Sequence, residues 1–169
     1  DGVIWAEKDM MNMLHHFRNN ASVVMWSIGN EVPSQWAEGG LEVAAWLQGL
    51  CHREDPTRPV TCGMDQFDAV LGNGFAGQLD VAGFNYKVDR DPQAYQLLPQ
   101  SIILGSETAS TVSSRGVYHF PATIGNDILD PDHQSSSYDT EYCFWSNIPD
   151  NDFAADEDYP WCIGQFVWT

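Results

Sequence analysis

The sequence predicts an α/β fold of (β/α)8-barrel type, a parallel sheet with its chemistry gathered at one end. Apolar, β-rich runs alternate with stretches of helical periodicity, a pattern that implies parallel strands joined by helices. Polar side chains recur where those runs end: Asn30 and Glu31, Asp65, Asn85 and Tyr86, Glu107, Trp168. A doubly wound sheet puts a phosphate-binding loop after its first strand. Carboxylates and aromatics at several strand ends belong instead to a barrel, whose active site forms at the C-terminal mouth of the strands.

The elements follow in order. Residues 4–17 keep Met10, Met11, Met13, Leu14 and Phe17 at helical spacing, with no Gly or Pro between them. A first strand is expected over 22–30, where Val23-Val24-Met25-Trp26 reads as a run buried on both faces. A second helix is expected over 36–50. The Asp55-Pro56-Thr57-Arg58-Pro59 turn leads to a strand at 60–63. A helical turn at 66–71 precedes a strand at 80–86, and a short helix at 92–98 precedes a strand at 101–107. A long polar loop is expected from about 109 to 140, then helical turns at 142–145 and 150–155, and a last strand at 162–168.

Composition bounds the partners. Seven basic against 24 acidic residues give a net charge of −17, which repels nucleic-acid phosphates and anionic membranes. No apolar run approaches the roughly 18 residues of a membrane span. Aromatic residues make up 12% of the chain, seven of them Trp, and supply stacking faces for a ring-shaped ligand. Cys51, Cys62, Cys143 and Cys162 contain no C-x-x-C pair, which argues against a zinc knuckle; all four are expected reduced and at least partly buried. His15 and His16 lie on the first helix with no partner spaced for a metal.

Two short matches mislead. Residues 72–77 fit G-x-G-x-x-G, but the stretch leads into a strand instead of leaving one, so a dinucleotide loop is not expected. Asn20-Ala21-Ser22 fits the glycosylation sequon but abuts a strand.

Two carboxylates stand out at strand ends, Glu31 and Glu107. Two carboxyl groups facing one cleft can cleave a glycosidic bond. One protonates the leaving oxygen, and the other attacks the anomeric carbon when the pair stands about 5–5.5 Å apart.

The motifs around them resemble a known family. W-S-I-G-N-E at 26–31 resembles the acid/base strand of glycoside hydrolase family 2, and I-L-G-S-E-T-A-S at 103–110 the nucleophile strand of its β-galactosidase branch. G-F-N-Y at 83–86 resembles the strand whose tyrosine stands beside the nucleophile, and G-Q-F-V-W-T at 164–169 the final barrel strand with the tryptophan that floors the sugar site. S-R-G-V-Y-H-F at 114–120 and S-S-Y-D at 136–139 are similar to that branch's long loop.

The resemblance implies a retaining exo-glycosidase that removes terminal β-D-galactosides by double displacement. Glu107 would be the nucleophile and Glu31 the acid/base. Asn30 would bind the sugar 2-hydroxyl, Tyr86 would orient Glu107, and Trp168 would stack on the pyranose. No cofactor and no metal are implied. The alternatives are a β-glucuronidase or another member of the family, and, from a different class, a non-catalytic carbohydrate-binding scaffold. Asp65, Arg115 and His119 are secondary candidates for substrate contact. The clusters Asp130, Asp132 and His133, and Asp150, Asp152, Asp156 and Asp158, read as solvated acidic faces.

The chain departs from the family pattern at Asn20-Ala21, where a His-Pro pair is usual, and at Gln165, where related sequences often carry Glu. By register with the family, its strands are the fourth to the eighth of the barrel. Residues 1–169 are therefore expected to be the C-terminal portion of a TIM-barrel catalytic domain, an incomplete barrel with two exposed sheet edges. Expected partners are a carbohydrate substrate and the remaining domains of the parent chain, with a homo-oligomer allowed for and neither nucleic acid nor membrane.

Overall fold

The structure is a computed structural model that describes residues 2–168; Asp1 and Thr169, the last residue of the final motif, lie outside the described residues. Helix α1 (Gly2–Phe17) is followed by strand β1 (Trp26–Asn30) and helix α2 (Gly40–Glu54). Strand β2 (Val60–Met64), the short helices α3 (Phe67–Gly72) and α4 (Phe75–Gln78), strand β3 (Val81–Asn85) and helix α5 (Asp91–Leu97) come next. Strand β4 (Ile103–Ala109) opens into a long connection holding β5 (Thr111–Val112), β6 (Gly125–Asn126) and β7 (Glu141–Tyr142), before α6 (Pro149–Asp158) and β8 (Cys162–Trp168).

The main sheet has the order β1-β2-β3-β4-β8 with every neighbouring pair parallel. This is the expected α/β fold: part of a barrel wall, with helices on its outer side.

Alternation along the strands sorts the two faces. Cys62 and Met64 of β2, Ala82 and Phe84 of β3, and Ile103 of β4 point outward into one core with Phe67, Phe75 and Leu98. Leu14, Trp26, Cys51 and Val60 form a second core beneath α1 and α2. The opposite face presents Ser27, Asn30, Thr61, Gly63, Leu104 and Ser106 to a hollow of about 670 Å³. All four cysteines are free, with Cys51 and Cys62 buried.

Several expected boundaries move, for physical reasons. Val23 to Met25 lie ahead of β1, and Val24 is exposed. β1 and β8 are the outer strands of the sheet, so each has one side without a neighbouring strand among the described residues. Burial on both faces, expected of the first strand, is found in β2 and β3 instead. The second helix starts at Gly40, not Trp36, because Gly39 turns through φ 78° and Gly40 packs on the Ser34 carbonyl, where a Cβ would sit 1.7 Å from the oxygen.

The stretch 72–77 joins α3 to α4, with Gly74 at φ 86°. The expected loop 109–140 carries a small sheet of order β5-β7-β6. Its two-residue strands include part of the helical turn expected at 142–145.

Candidate active site

Three of the parallel strands end in residues with left-handed backbone: Glu31 (φ 48°) after β1, Tyr86 (φ 57°) after β3, and Ala109 and Ser110 (φ 65° and 45°) at the end of β4. Non-glycine residues hold this conformation only when their surroundings impose it, and such strain gathers at functional sites. Here the neighbouring strand imposes it. The Glu31 N–H donates to the Gly63 carbonyl at 2.9 Å, and the Tyr86 N–H donates to the Glu107 carbonyl at 2.9 Å. These two turns lift the Glu31 and Tyr86 side chains over the strand ends.

There Glu31, Asp65, Gln66, Tyr86, Lys87, Glu107, Trp145 and Trp168 line a single cleft of about 430 Å³. The larger hollow behind it is mainly apolar and holds neither carboxylate; it is the inner face of the sheet wall. The chemistry-bearing side chains are in the smaller space.

The carboxylates are held by different partners. Glu31 Oε1 accepts from the Asn85 amide at 2.9 Å, and the same amide donates to Asn30 Oδ1 at 3.0 Å. Ser106 Oγ donates to Asn85 Oδ1 at 2.7 Å, which fixes the way the amide faces. Gly63 makes room for this network, since a Cβ there would come within 2.3 Å of Asn30 Oδ1. Glu107 accepts from the Tyr86 hydroxyl. Burial, then the Glu107 carboxylate, pushes the Tyr86 phenol above its ordinary pKa, so it stays protonated and donates.

Asp65 is fixed from both sides. The buried Gln35 donates to its Oδ1 at 2.7 Å, and Gln66 donates to its Oδ2 at 2.7 Å. Gln35 Oε1 also receives the N–H groups of Asp65 and Gln66 at 3.2 and 3.1 Å.

Of the residues singled out in the sequence, the fold brings Glu31, Tyr86, Glu107, Trp168 and the secondary candidate Asp65 into the cleft. Asn30 faces the adjoining hollow and meets Glu31 through Asn85. Arg115 and His119 do not line the cleft. Arg115 is exposed on the loop, and His119 turns to Asp130 and Asp132. Their loop pairs with itself through β5, β6 and β7.

Sequence reasoning did not assign Asn85, Gln66, Lys87 or Trp145. Asn85 was noted at a strand end without a role, and Lys87, on the other side of Tyr86, carries the same positional signal. Trp145 lies in an irregular loop and carries no comparable signal.

A parallel sheet with carboxylates at its C-terminal mouth is the TIM-barrel design. The family model of the glycosyl hydrolases family 2 TIM barrel domain matches residues 5–123, and the chain belongs to that family. The β-galactosidase BoGH2A of Bacteroides ovatus is 28% identical over 98% of this chain, and the chain spans about a quarter of that relative, 24%. A family 2 member from Bacteroides cellulosilyticus superposes with a TM-score of 0.69 at 28% identity, over 98% of this chain and 16% of its own. A β-glucuronidase from Bacteroides uniformis shares the fold with a TM-score of 0.69 at 17% identity, over 97% of this chain and 21% of its own.

Proposed function

We propose that this chain is the C-terminal portion of the catalytic barrel of a retaining β-galactosidase. The observation that carries the reading is the convergence of Glu31 and Glu107 on one cleft with Tyr86 and Trp168. Glu107 attacks the anomeric carbon and forms a glycosyl-enzyme, while Glu31 protonates the departing oxygen and later takes a proton from water.

The two carboxylates suit different tasks. Glu107 is half-buried against the Tyr86 hydroxyl, which aims one oxygen and leaves the other for attack. Glu31 is exposed at the rim, where the leaving group and water enter. Asn30 opens on the adjoining hollow with its Oδ1 held by Asn85, so its amide N–H is the group that would meet the sugar 2-hydroxyl. Trp168 offers an apolar face to the ring and Trp145 a second wall. The similarity to a β-galactosidase along the chain supports the galactoside assignment.

The test is hydrolysis of an aryl β-galactoside by the complete enzyme. Glu107→Gln should lower kcat by several orders of magnitude, and a 2-fluoro galactosyl donor should label Glu107. Full activity in that variant ends the reading, as does an inverted anomer in the first product seen by NMR.

Lys87 favours a second reading. Its side chain lines the cleft beside Tyr86, and an ammonium there can pair with the carboxylate of a uronic acid. If the substrate is a β-uronide, Lys87→Gln should raise KM for an aryl β-uronide at least tenfold and leave aryl β-galactoside turnover unchanged. Equal effects on both substrates dismiss it.

A further inference from the structure

Away from the cleft, the long connection between β4 and α6 brings three distant residues together. One donor atom each from His119, Asp130 and Glu141 lies within 4.8 Å of the other two. A pocket of about 190 Å³, lined also by Phe120, Thr123 and Thr140, opens on them.

The imidazole is arranged as a ligand. His119 Nδ1 is 2.6 Å from Asp130 Oδ2. The two are not aligned for a hydrogen bond, and Nδ1 is buried without any hydrogen-bond partner. On the other side of the ring, Nε2 lies 3.2 Å from Asp132 Oδ2. A carboxylate that takes the N–H at one ring nitrogen fixes the tautomer that bares the lone pair of the other, the usual support behind a metal-bound histidine. Glu141 is buried, and its Oε1 is anchored by the Ser136 N–H at 2.6 Å.

We propose that His119, Asp130 and Glu141 bind a divalent cation of the Zn²⁺ or Mn²⁺ class, with Asp132 orienting the imidazole. One nitrogen and two carboxylate oxygens suit such ions, and three protein ligands leave a coordination position open toward the pocket. Charge balance agrees. Three carboxylates surround one imidazole, so an added proton that makes the ring an imidazolium leaves two negative charges uncompensated, whereas a divalent ion with a neutral ring leaves one.

The residues expected to form an acidic face here were Asp130, Asp132 and His133. The fold replaces the exposed His133 with His119, eleven residues before Asp130 in the chain. The ion would tie the loop to β7, whose antiparallel partner β5 directly follows the Glu107 strand. Trp145 of the cleft lies three residues after β7. Loading would therefore set the position of one cleft wall.

The competing occupant is a proton. The Asp132 hydrogen bond, reinforced by Asp130, raises the His119 pKa above its ordinary value, and the cluster would then be an ion-paired loop clasp. Titration calorimetry of the complete protein, stripped with a chelator and dialysed, separates the two. One Zn²⁺ or Mn²⁺ should bind per chain and raise the thermal midpoint. Asp130→Asn should weaken binding at least 100-fold, and Asp132→Asn 10–100-fold. Co²⁺ should give visible d–d absorption that His119→Gln abolishes. Should these variants misfold, the Co²⁺ spectrum of the unaltered protein decides. No heat with either ion, undiminished affinity in Asp130→Asn, or a Co²⁺ spectrum identical to that of the free ion overturns the proposal.

Discussion

Asn85 holds Glu31 from two strands away, its amide donating to Glu31 Oε1 at 2.9 Å while the same nitrogen reaches Asn30 Oδ1 at 3.0 Å. Asn85 is completely buried, so its hydrogen bonds are not traded against water. Removing the side chain leaves Asn30 and Ser106 without their shared partner. Asn85→Ala should cost about 1 kcal/mol of stability, the usual net worth of a hydrogen bond, because the partners it frees, exposed Asn30 and half-buried Ser106, can turn to water. By releasing Glu31 it should also lower kcat/KM about 100-fold, as small losses of orientation do. Urea melts and steady-state kinetics read the two effects separately. Unchanged kcat/KM would remove Asn85 from the positioning of Glu31.

Tyr86 acts on the other carboxylate. Its phenol is kept protonated by burial and by Glu107 itself, so it remains a donor through the neutral range. Tyr86→Phe keeps the ring and removes only the hydroxyl. On the proposed roles, kcat should fall about 100-fold through lost orientation of the nucleophile, with the folded structure intact by circular dichroism. An alkaline limb in the wild-type pH–rate profile near the ordinary tyrosine pKa would contradict the upward shift.

Asp55 secures the other end of the Glu31 strand. It accepts from Trp26 Nε1 at 3.0 Å, the Thr57 hydroxyl at 2.5 Å and Arg58 at 2.6 Å. The Thr57 hydroxyl, with Arg58 and Trp26, holds its carboxyl well below the usual carboxylate range despite burial. A depressed folded pKa stabilises the protein above the unfolded value of about 4, and the contribution is lost as pH falls below it. Asp55→Ala should destabilise by about 3 kcal/mol at pH 7, since Arg58 loses its partner. The difference from wild type should narrow toward pH 3 in denaturant melts. A gap that is constant with pH would mean that packing, not charge, sets the cost.

How much of this was legible in the sequence follows from what each element depends on. β2 and β3 are continuous apolar runs covered on both faces, and periodicity finds such strands readily. Glu31 and Glu107 were found because they stand at strand ends within specific motifs. The start of α2 was missed because Gly40 must approach Ser34, a tertiary contact with no local signature. The β5-β7-β6 sheet was missed because two-residue strands have no measurable period. Asn85 was noted at a strand end, but its grip on Glu31 needs β1, β2 and β3 in register. His119, read as a secondary substrate contact, meets Asp130 and Glu141 only because the loop folds on itself.

Behind β4 lies a place where the fold carries a pH-dependent cost. Asp91 and Asp152 are both buried, and Asp91 Oδ1 and both Asp152 oxygens lack hydrogen-bond partners. Burial, then the Asp152 charge, pushes the Asp91 carboxyl up to about 8. Burial likewise pushes Asp152 up to about 6, offset in part by Asn147 and the Ala109 N–H, which lie near without closing a hydrogen bond. A carboxylate with a raised folded pKa is neutral in the folded state while it ionises in the unfolded one. Stability therefore falls as pH rises from about 4 toward 8. Gln165 donates to the neighbouring Asp156 at 2.8 Å while accepting from Thr108 at 2.6 Å. An ionised Glu at that position could not donate and would add a fourth carboxyl group to Asp91, Asp152 and Asp156. Asp91→Asn should stabilise the protein at pH 8 by a few kcal/mol, order of magnitude, with the gain vanishing near pH 4. Gln165→Glu should do the reverse above pH 5. Thermal melts of both variants across that range check the pair, and a gain in Asp91→Asn that is the same at pH 4 and pH 8 would show that the cost is not one of charge.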